Sequence, residues 1–407
     1  MKKLLSTAVA SVILCASVFT ACGTVPVESV PSQASSDDDF LVGMVVYDSK
    51  RSESGYTYTH IQAVTEAMEA VGLDPDADLK IRDNITDTDT PLRDSVEELV
   101  VSGCDIIFGT SSEYDVAFAE LAEQYPDVVF CNAGGVLSNT TNFNNYAGRV
   151  YQAFYLAGIA AGYKSLETDN NSLGFVSYWG AEHSDTCSDV NAFTLGVRSV
   201  NPGASVYVYS IDSWSDPDAE YHAAQTLASR YHCGIIAQDC DSNEPLLLAE
   251  ADGLFGCGYG YDMTDDAPEA HLTAPMISWD IYYQLALSAA MNESSASEFV
   301  GNVGGNYFGG LADGFVSVTP LSGNNAPEAE EAIALATDLM ISGQWDVFSG
   351  TALEFSGEAG NVTVEQVRRA LMDNENLIIV DGGDPSVGDI EIRGFMDHYV
   401  NGVIDVT

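Results

Sequence analysis

Short apolar runs of strand length alternate with segments of helical period twice over in this chain, and that alternation restricts the fold more than any other feature. The run at 40–46 is followed by 59–71, where Ile61, Val64, Met68 and Val71 recur at helical spacing and Gly72 closes the segment. Further strands are expected at 79–82, 104–108 and 127–131, separated by helices at 91–102 and 113–124. A βαβα order requires a parallel sheet wrapped by helices, because a strand can return parallel to its neighbour only through a crossover. A second set follows, with helices at 153–164, 190–200, 219–231 and 245–251 and strands at 173–177, 205–210, 234–237 and 254–258. The expected fold class is therefore α/β, two Rossmann-like lobes with parallel sheets meeting near Arg149. The Gly-rich stretch 301–314, a helix at 326–341 and a hairpin at 348–360 read as crossings and closing elements. They assign 40–148 with about 263–320 to the N-terminal lobe, and 149–262 with about 321–407 to the C-terminal lobe.

Residues 1–21 read as a lipoprotein export signal. Lys2 and Lys3 precede an apolar run at 4–20, and small residues lead into Cys22, which would carry the lipid as the mature N-terminus. An ordinary signal peptide or short hydrophobic anchor is the alternative. The Ser-, Pro- and Asp-rich stretch 22–39 has no period and reads as a flexible tether. The expected location is extracytoplasmic, with the protein held to the cell membrane by lipid on Cys22. Charge narrows the partners: 14 Lys and Arg against 61 Asp and Glu leave 14 − 61 = −47. Such a surface repels phosphate, which excludes nucleic acid and points to neutral or cationic ligands.

In open parallel sheets, ligands bind beyond the carboxyl ends of the strands. Those positions hold Asp48, Thr110, Ser111, Asn132, Trp179, Trp214, Asp241 and Tyr259, and the loop 54–60 adds Tyr56, Tyr58 and His60. Flat aromatic faces beside a few directional polar groups suit a planar, neutral heterocycle. Simple loop packing is the alternative for each ring. No GxSxG, HExxH or GxxxxGK[ST] occurs, and His60 has no nucleophile or carboxylate partner evident in sequence, so no catalytic residue and no enzyme is expected. No CxxC pair occurs among the six cysteines beyond Cys22, so no zinc site is expected, and Asp239, Asp241 and Asp262, which could bind a metal, read without a His cluster as hydrogen-bond acceptors for ligand. No metal or other cofactor is expected, while a Cys233–Cys240 disulfide stays open.

Several long segments carry a resemblance: YAGRVYQAFYLAGIAAG at 146–162, NAFTLGVRSVNP at 191–202, IIAQDCDS at 235–242, APEAHLTAPMISWDIYY at 267–283, GGLADG at 309–314 and WDVFSG at 345–350. In this order they resemble the basic membrane protein family of ABC-transporter substrate-binding lipoproteins, the purine nucleoside receptor type, from about residue 40 to 403. The resemblance implies a type I periplasmic-binding fold, two lobes joined by hinge crossings that close on ligand. It also implies a purine nucleobase or nucleoside as ligand, an ABC permease and ATPase complex as partner, and a monomer. Nucleoside-binding members carry D-x-S-F-N after the first strand and a Lys after a late strand. This chain reads SGYTYTH and TAPMISWD there, closer to the G-W-T-Y-x-H subset, so the expectation leans to a free base. In that frame Tyr56 and Trp214 stack on the ring, Tyr58, Thr110, Ser111 and Asn132 hydrogen-bond one edge, and Asp241, Tyr259 and Trp279 complete the other side or the hinge. The alternatives are a sensory lipoprotein of the same fold and a receptor for another flat heterocycle such as riboflavin.

Overall fold

The apolar runs of the first half become short strands buried on both faces, as parallel strands covered by helices must be. A computed structural model describes residues 40–52, 55–86, 88–292, 295–349, 352–355, 362–365, 392 and 396–407. The expected leader 1–21, Cys22 and the tether 22–39 lie outside these residues, as does part of the expected hairpin. In chain order the first half contains β1 (Val42–Val45), α1 (Gly55–Val71), α2 (Pro75–Asp78), β2 (Leu79–Arg82), α3 (Thr90–Val101), β3 (Ile106–Gly109), α4 (Asp115–Gln124), β4 (Val129–Ala133) and β5 (Phe143–Gly148). The second set is α5 (Val150–Glu167), β6 (Ser172–Ser177), α6 (Ser184–Val200), β7 (Ser205–Ser210), α7 (Pro217–Tyr231), β8 (Ile235–Gln238), α8 (Glu244–Asp252) and β9 (Phe255–Cys257). The remainder forms β10 (Pro275–Ile277), α9 (Trp279–Asn292), α10 (Phe299–Val303), β11 (Tyr307–Gly309), β12 (Val316–Val318), α11 (Ala329–Ile341), β13 (Ala352–Phe355), β14 (Val362–Glu365) and β15 (Val403–Asp405).

Two parallel sheets result, in the orders β11-β5-β4-β3-β1-β2 and β15-β7-β6-β8-β9. Each has its strand order reversing at one place, between β1 and β3 in the first sheet and between β6 and β8 in the second. The late strands return far along the chain: β11 pairs with β5, and β15 pairs with β7. Apart from these sheets, β10 and β12 pair antiparallel. The described residues from Phe40 to Thr407 pack as one compact unit.

Three readings change. The expected loop 54–60 is mostly helix, because Gly55 turns the chain at φ +80° and Thr57, His60, Val64, Ala67 and Met68 then form one buried stripe. Its first two members are polar, so an apolar count places the helix start too late. A strand absent from the expectation, β5, has the sequence FNNYAG and is wholly buried. Its asparagines are satisfied from remote segments: Asn144 Nδ2 donates to Gly305 O at 2.8 Å, Tyr282 OH donates to Asn144 Oδ1 at 2.7 Å, and Asn145 N donates to Asn306 Oδ1 at 2.8 Å. Cys233 and Cys240 are free buried thiols rather than a disulfide, lying beyond opposite ends of the extended strand β8.

Candidate functional site

The carboxyl ends flanking a strand-order reversal leave a crevice between the diverging loops, and the two sheets turn these crevices toward one cavity. From the β1/β3 reversal come Tyr47, Asp48, Thr110 and Ser111, and from the β6/β8 reversal come Tyr178 and Asp241. The cavity encloses about 150 Å³. Seven aromatic rings line it: Tyr47, Tyr56 and Trp279 beside the first sheet, Tyr151 at the start of α5, and Tyr178, Trp214 and Tyr259 beside the second sheet. Among the expected site residues, Asp48, Tyr56, Thr110, Ser111, Trp214, Asp241, Tyr259 and Trp279 all reach this cavity.

The other four do not line it. His60 is buried behind the wall: its ring stacks on Trp279 with centroids 4.1 Å apart, meets Tyr56 edge-on at 4.3 Å, and its Nδ1 shares a 2.6 Å hydrogen bond with Tyr283 OH. Tyr283 OH in turn bonds Tyr146 OH at 3.0 Å. Burial pushes the His60 pKa down to about 3, so the imidazole is neutral and Trp279 has a fixed, uncharged backing. Asn132 is buried at the end of β4 in the first sheet, where its Nδ2 donates to Asn145 Oδ1 on β5 at 3.1 Å. Trp179 stands behind Trp214 in an edge-on contact at 5.7 Å and stacks on His183 at 4.9 Å. Tyr58 is half-buried on α1, outside the cavity.

The N-terminal ends of α5 and α6 add residues that were not expected at the site. Arg149, Val150 and Tyr151 enter from α5, and Asp185, Thr186, Ser188 and Asp189 from α6. Arg149 follows the overlooked polar strand β5, so its position at a strand end was hidden. Asp185 did leave a signal, an acid in the first turn of a helix, where the positive end of the macrodipole favours it. Arg149 is the single cationic residue among the lining, against the carboxylates of Asp48, Asp185, Asp189 and Asp241.

Electrostatics follow from this crowding. Burial raises the Asp48 pKa, and burial together with Glu220 and Asp48 raises that of Asp241 to about 7. Asp241 retains some exposed surface, so the cause is its packing among protein groups and other carboxylates, not complete removal from water. Burial drives the Tyr178 and Tyr259 phenols well above their ordinary value, which keeps both neutral hydrogen-bonding groups. Phe154 stacks behind Tyr259 at 5.7 Å, and Tyr178 meets Trp214 edge-on at 5.2 Å, so the second wall is also a supported aromatic surface. Among the described residues no group of three or more His, Cys, Asp or Glu is placed to hold a metal ion, and no helix is long and apolar enough to cross a membrane.

Comparison with known proteins gives a consistent pattern. Residues 40–343 match the family described as ABC transporter substrate-binding protein PnrA-like. A putative ABC transporter glucose-binding protein from Haloferax volcanii is 28% identical over 355 residues, spanning 86% of this chain and 85% of the relative. A purine-binding protein from Brucella abortus is 29% identical over 318 residues, spanning 78% of this chain and 85% of the relative. An ABC transporter solute-binding protein from Conexibacter woesei has the same fold, with a TM-score of 0.59 at 17% identity, covering 76% of this chain and 98% of that structure.

Proposed function

Because the chain belongs to the PnrA-like family of ABC transporter substrate-binding proteins, a family of extracytoplasmic solute receptors of type I periplasmic-binding fold and not of enzymes, we propose that its ligand is a purine nucleobase or nucleoside held between the two sheets. The observation that carries this reading is the ring of seven aromatic side chains around a cavity of about 150 Å³. Stacking on such faces is worth roughly 1–3 kcal/mol per base and needs no charge on the ligand. Tyr56 and Trp214 are the stacking pair in this reading, with Thr110 and Ser111 reading the ring edge and Asp241, Tyr259 and Trp279 completing the other side or the hinge. The likeness to a purine-binding protein supports the same class. A nucleotide fits poorly, since its phosphate would meet four carboxylates and one arginine in the cavity of a chain with net charge −47.

In the same reading the lobes are 40–148 with about 263–320 and 149–262 with about 321–407, and ligand shifts the population toward the closed form that a permease recognises. Lipid on Cys22 holds the monomer at the membrane. The test is thermal unfolding of the compact body from Phe40 onward against adenine, guanine, hypoxanthine, xanthine, their nucleosides, riboflavin and glucose. A ligand at about 100 times its Kd adds ~2.7 kcal/mol of stability. Shifts with bases or nucleosides support the proposal. Shifts with glucose alone, or with riboflavin alone, refute the purine class.

A further inference from the structure

The first turn of α1 contains no acidic residue, yet it meets a carboxylate. That carboxylate belongs to Asp241, beyond β8 of the other sheet. The Tyr56 backbone N–H donates to it. A Cβ built on Gly55 would lie 3.7 Å from Asp241 Cβ and 3.8 Å from its Oδ2, so the two segments are in van der Waals reach. Tyr56 and Asp241 both line the main cavity, and a smaller hollow beside it passes Gly55, Thr59, Asp241 and Gly260. A 17-residue helix has unsatisfied N–H groups and a positive dipole end at its start, and here the neutralising group comes from the opposite side of the cleft.

We propose that Asp241 is a positioning residue that clasps the N-terminus of α1 across the cleft, so that closure around ligand includes a hydrogen bond made wholly within the protein. The clasp needs the two sheets to approach, and it orients Tyr56 by its own backbone. The titratable groups facing Asp241 are Asp48 from the segment after β1, Glu220 on α7, Asp239 and Cys240 on its own loop, and Tyr178 and Tyr259 after β6 and β9. This company disfavours the ionised form when the cleft is shut, with the Asp241 pKa near 7 against an ordinary value near 3.8. An acid with a higher pKa in the closed form takes up a proton on closing, so closure strengthens as pH falls. The protonated carboxyl still accepts from Tyr56 N–H through its carbonyl oxygen.

The identity of the ligand rests on the purine reading, whereas the clasp can be read without ligand. Hydrogen exchange of the peptide containing Tyr56 is measured on the ligand-free body for the native protein, Asp241→Ala and Asp241→Asn. Faster exchange in Asp241→Ala with protection retained in Asp241→Asn is expected; equal exchange in all three overturns the clasp, whatever the panel shows. With adenine as probe, the native affinity should rise about tenfold from pH 8 to pH 6. The affinity of Asp241→Asn, whatever its level, should be flat over that range, and an unchanged pH dependence in Asp241→Asn overturns the proton linkage. If adenine binds no variant while the exchange difference stands, the purine assignment fails and the clasp survives.

Discussion

Replacing Gly158 by Ala tests how the helices that carry part of the site are held. Gly158 on α5 and Gly196 on α6 face each other where the helices cross, with backbone against backbone. A Cβ on Gly158 would lie 2.2 Å from Phe193 O, and one on Gly196 would lie 2.1 Å from Tyr155 O. Ordinary contact begins at 3.4 Å, so the helices must separate by 3.4 − 2.2 = 1.2 Å. Residues 150–165 of α5 are all buried, which leaves no free direction for that movement. A gap of about 1 Å forfeits a quarter to a half of the dispersion energy across the contact. Overpacking costs about 1–3 kcal/mol, while exchanging Gly for Ala in a helix returns about 1 kcal/mol. Against rigid backbone the cost sits at the top of that range, so the expected net loss is about 2 kcal/mol, a fall in Tm of roughly 2–3 °C for a body of this size. Gly301→Ala on α10 is the control: nothing lies within 4 Å of its Cβ, so it should melt at or above the native temperature. Calorimetry of the three proteins decides the matter, and Gly158→Ala melting with Gly301→Ala would refute the steric argument. Since the N-terminal ends of both helices line the cavity, Gly158→Ala should also weaken whichever purine stabilises the native protein.

Three further outcomes are expected. Trp214→Ala should weaken binding by more than tenfold in titration calorimetry, in line with about 1–3 kcal/mol for a lost stack, and unchanged affinity removes Trp214 from the site. His60→Phe keeps a flat ring behind Trp279 but has no proton to take up. Because the His60 pKa is depressed to about 3, the native protein loses stability as pH falls from about 6.5 toward 3, by roughly 4–5 kcal/mol in total, and the variant should lack that share. Parallel acid-unfolding curves for the two proteins would show that His60 is not buried as a neutral ring. Cys22→Ser should move the protein from the membrane to the soluble fraction on cell fractionation, and continued sedimentation with membranes rules out a lipid anchor at that residue.

Much of the site was legible because its logic is local. Strand ends in a βαβα chain can be read from periodicity, and the rule that ligands bind beyond carboxyl ends then points to Asp48, Thr110, Ser111, Trp214, Asp241 and Tyr259 without knowledge of contacts. The same reasoning placed His60 beside its neighbour Tyr56 and could not tell which way each faced. In α1 the answer depends on helical phase: Tyr56 turns to the cavity, while His60, one turn on, is buried against Trp279 from a helix more than 200 residues away in sequence.

The amino-acid sequence by itself determined the parallel α/β architecture and the predominance of aromatic groups at the strand ends, since period and side-chain type are properties of short segments. Only the tertiary structure decided that FNNYAG is a strand, that Arg149 and the α6 acids enter the cavity, and that Asp241 meets α1 from the other sheet. Each of these depends on partners remote in sequence. A buried asparagine is tolerable only where a distant carbonyl or hydroxyl completes its hydrogen bonds, and a helix end can take its neutralising charge from any segment the fold brings near.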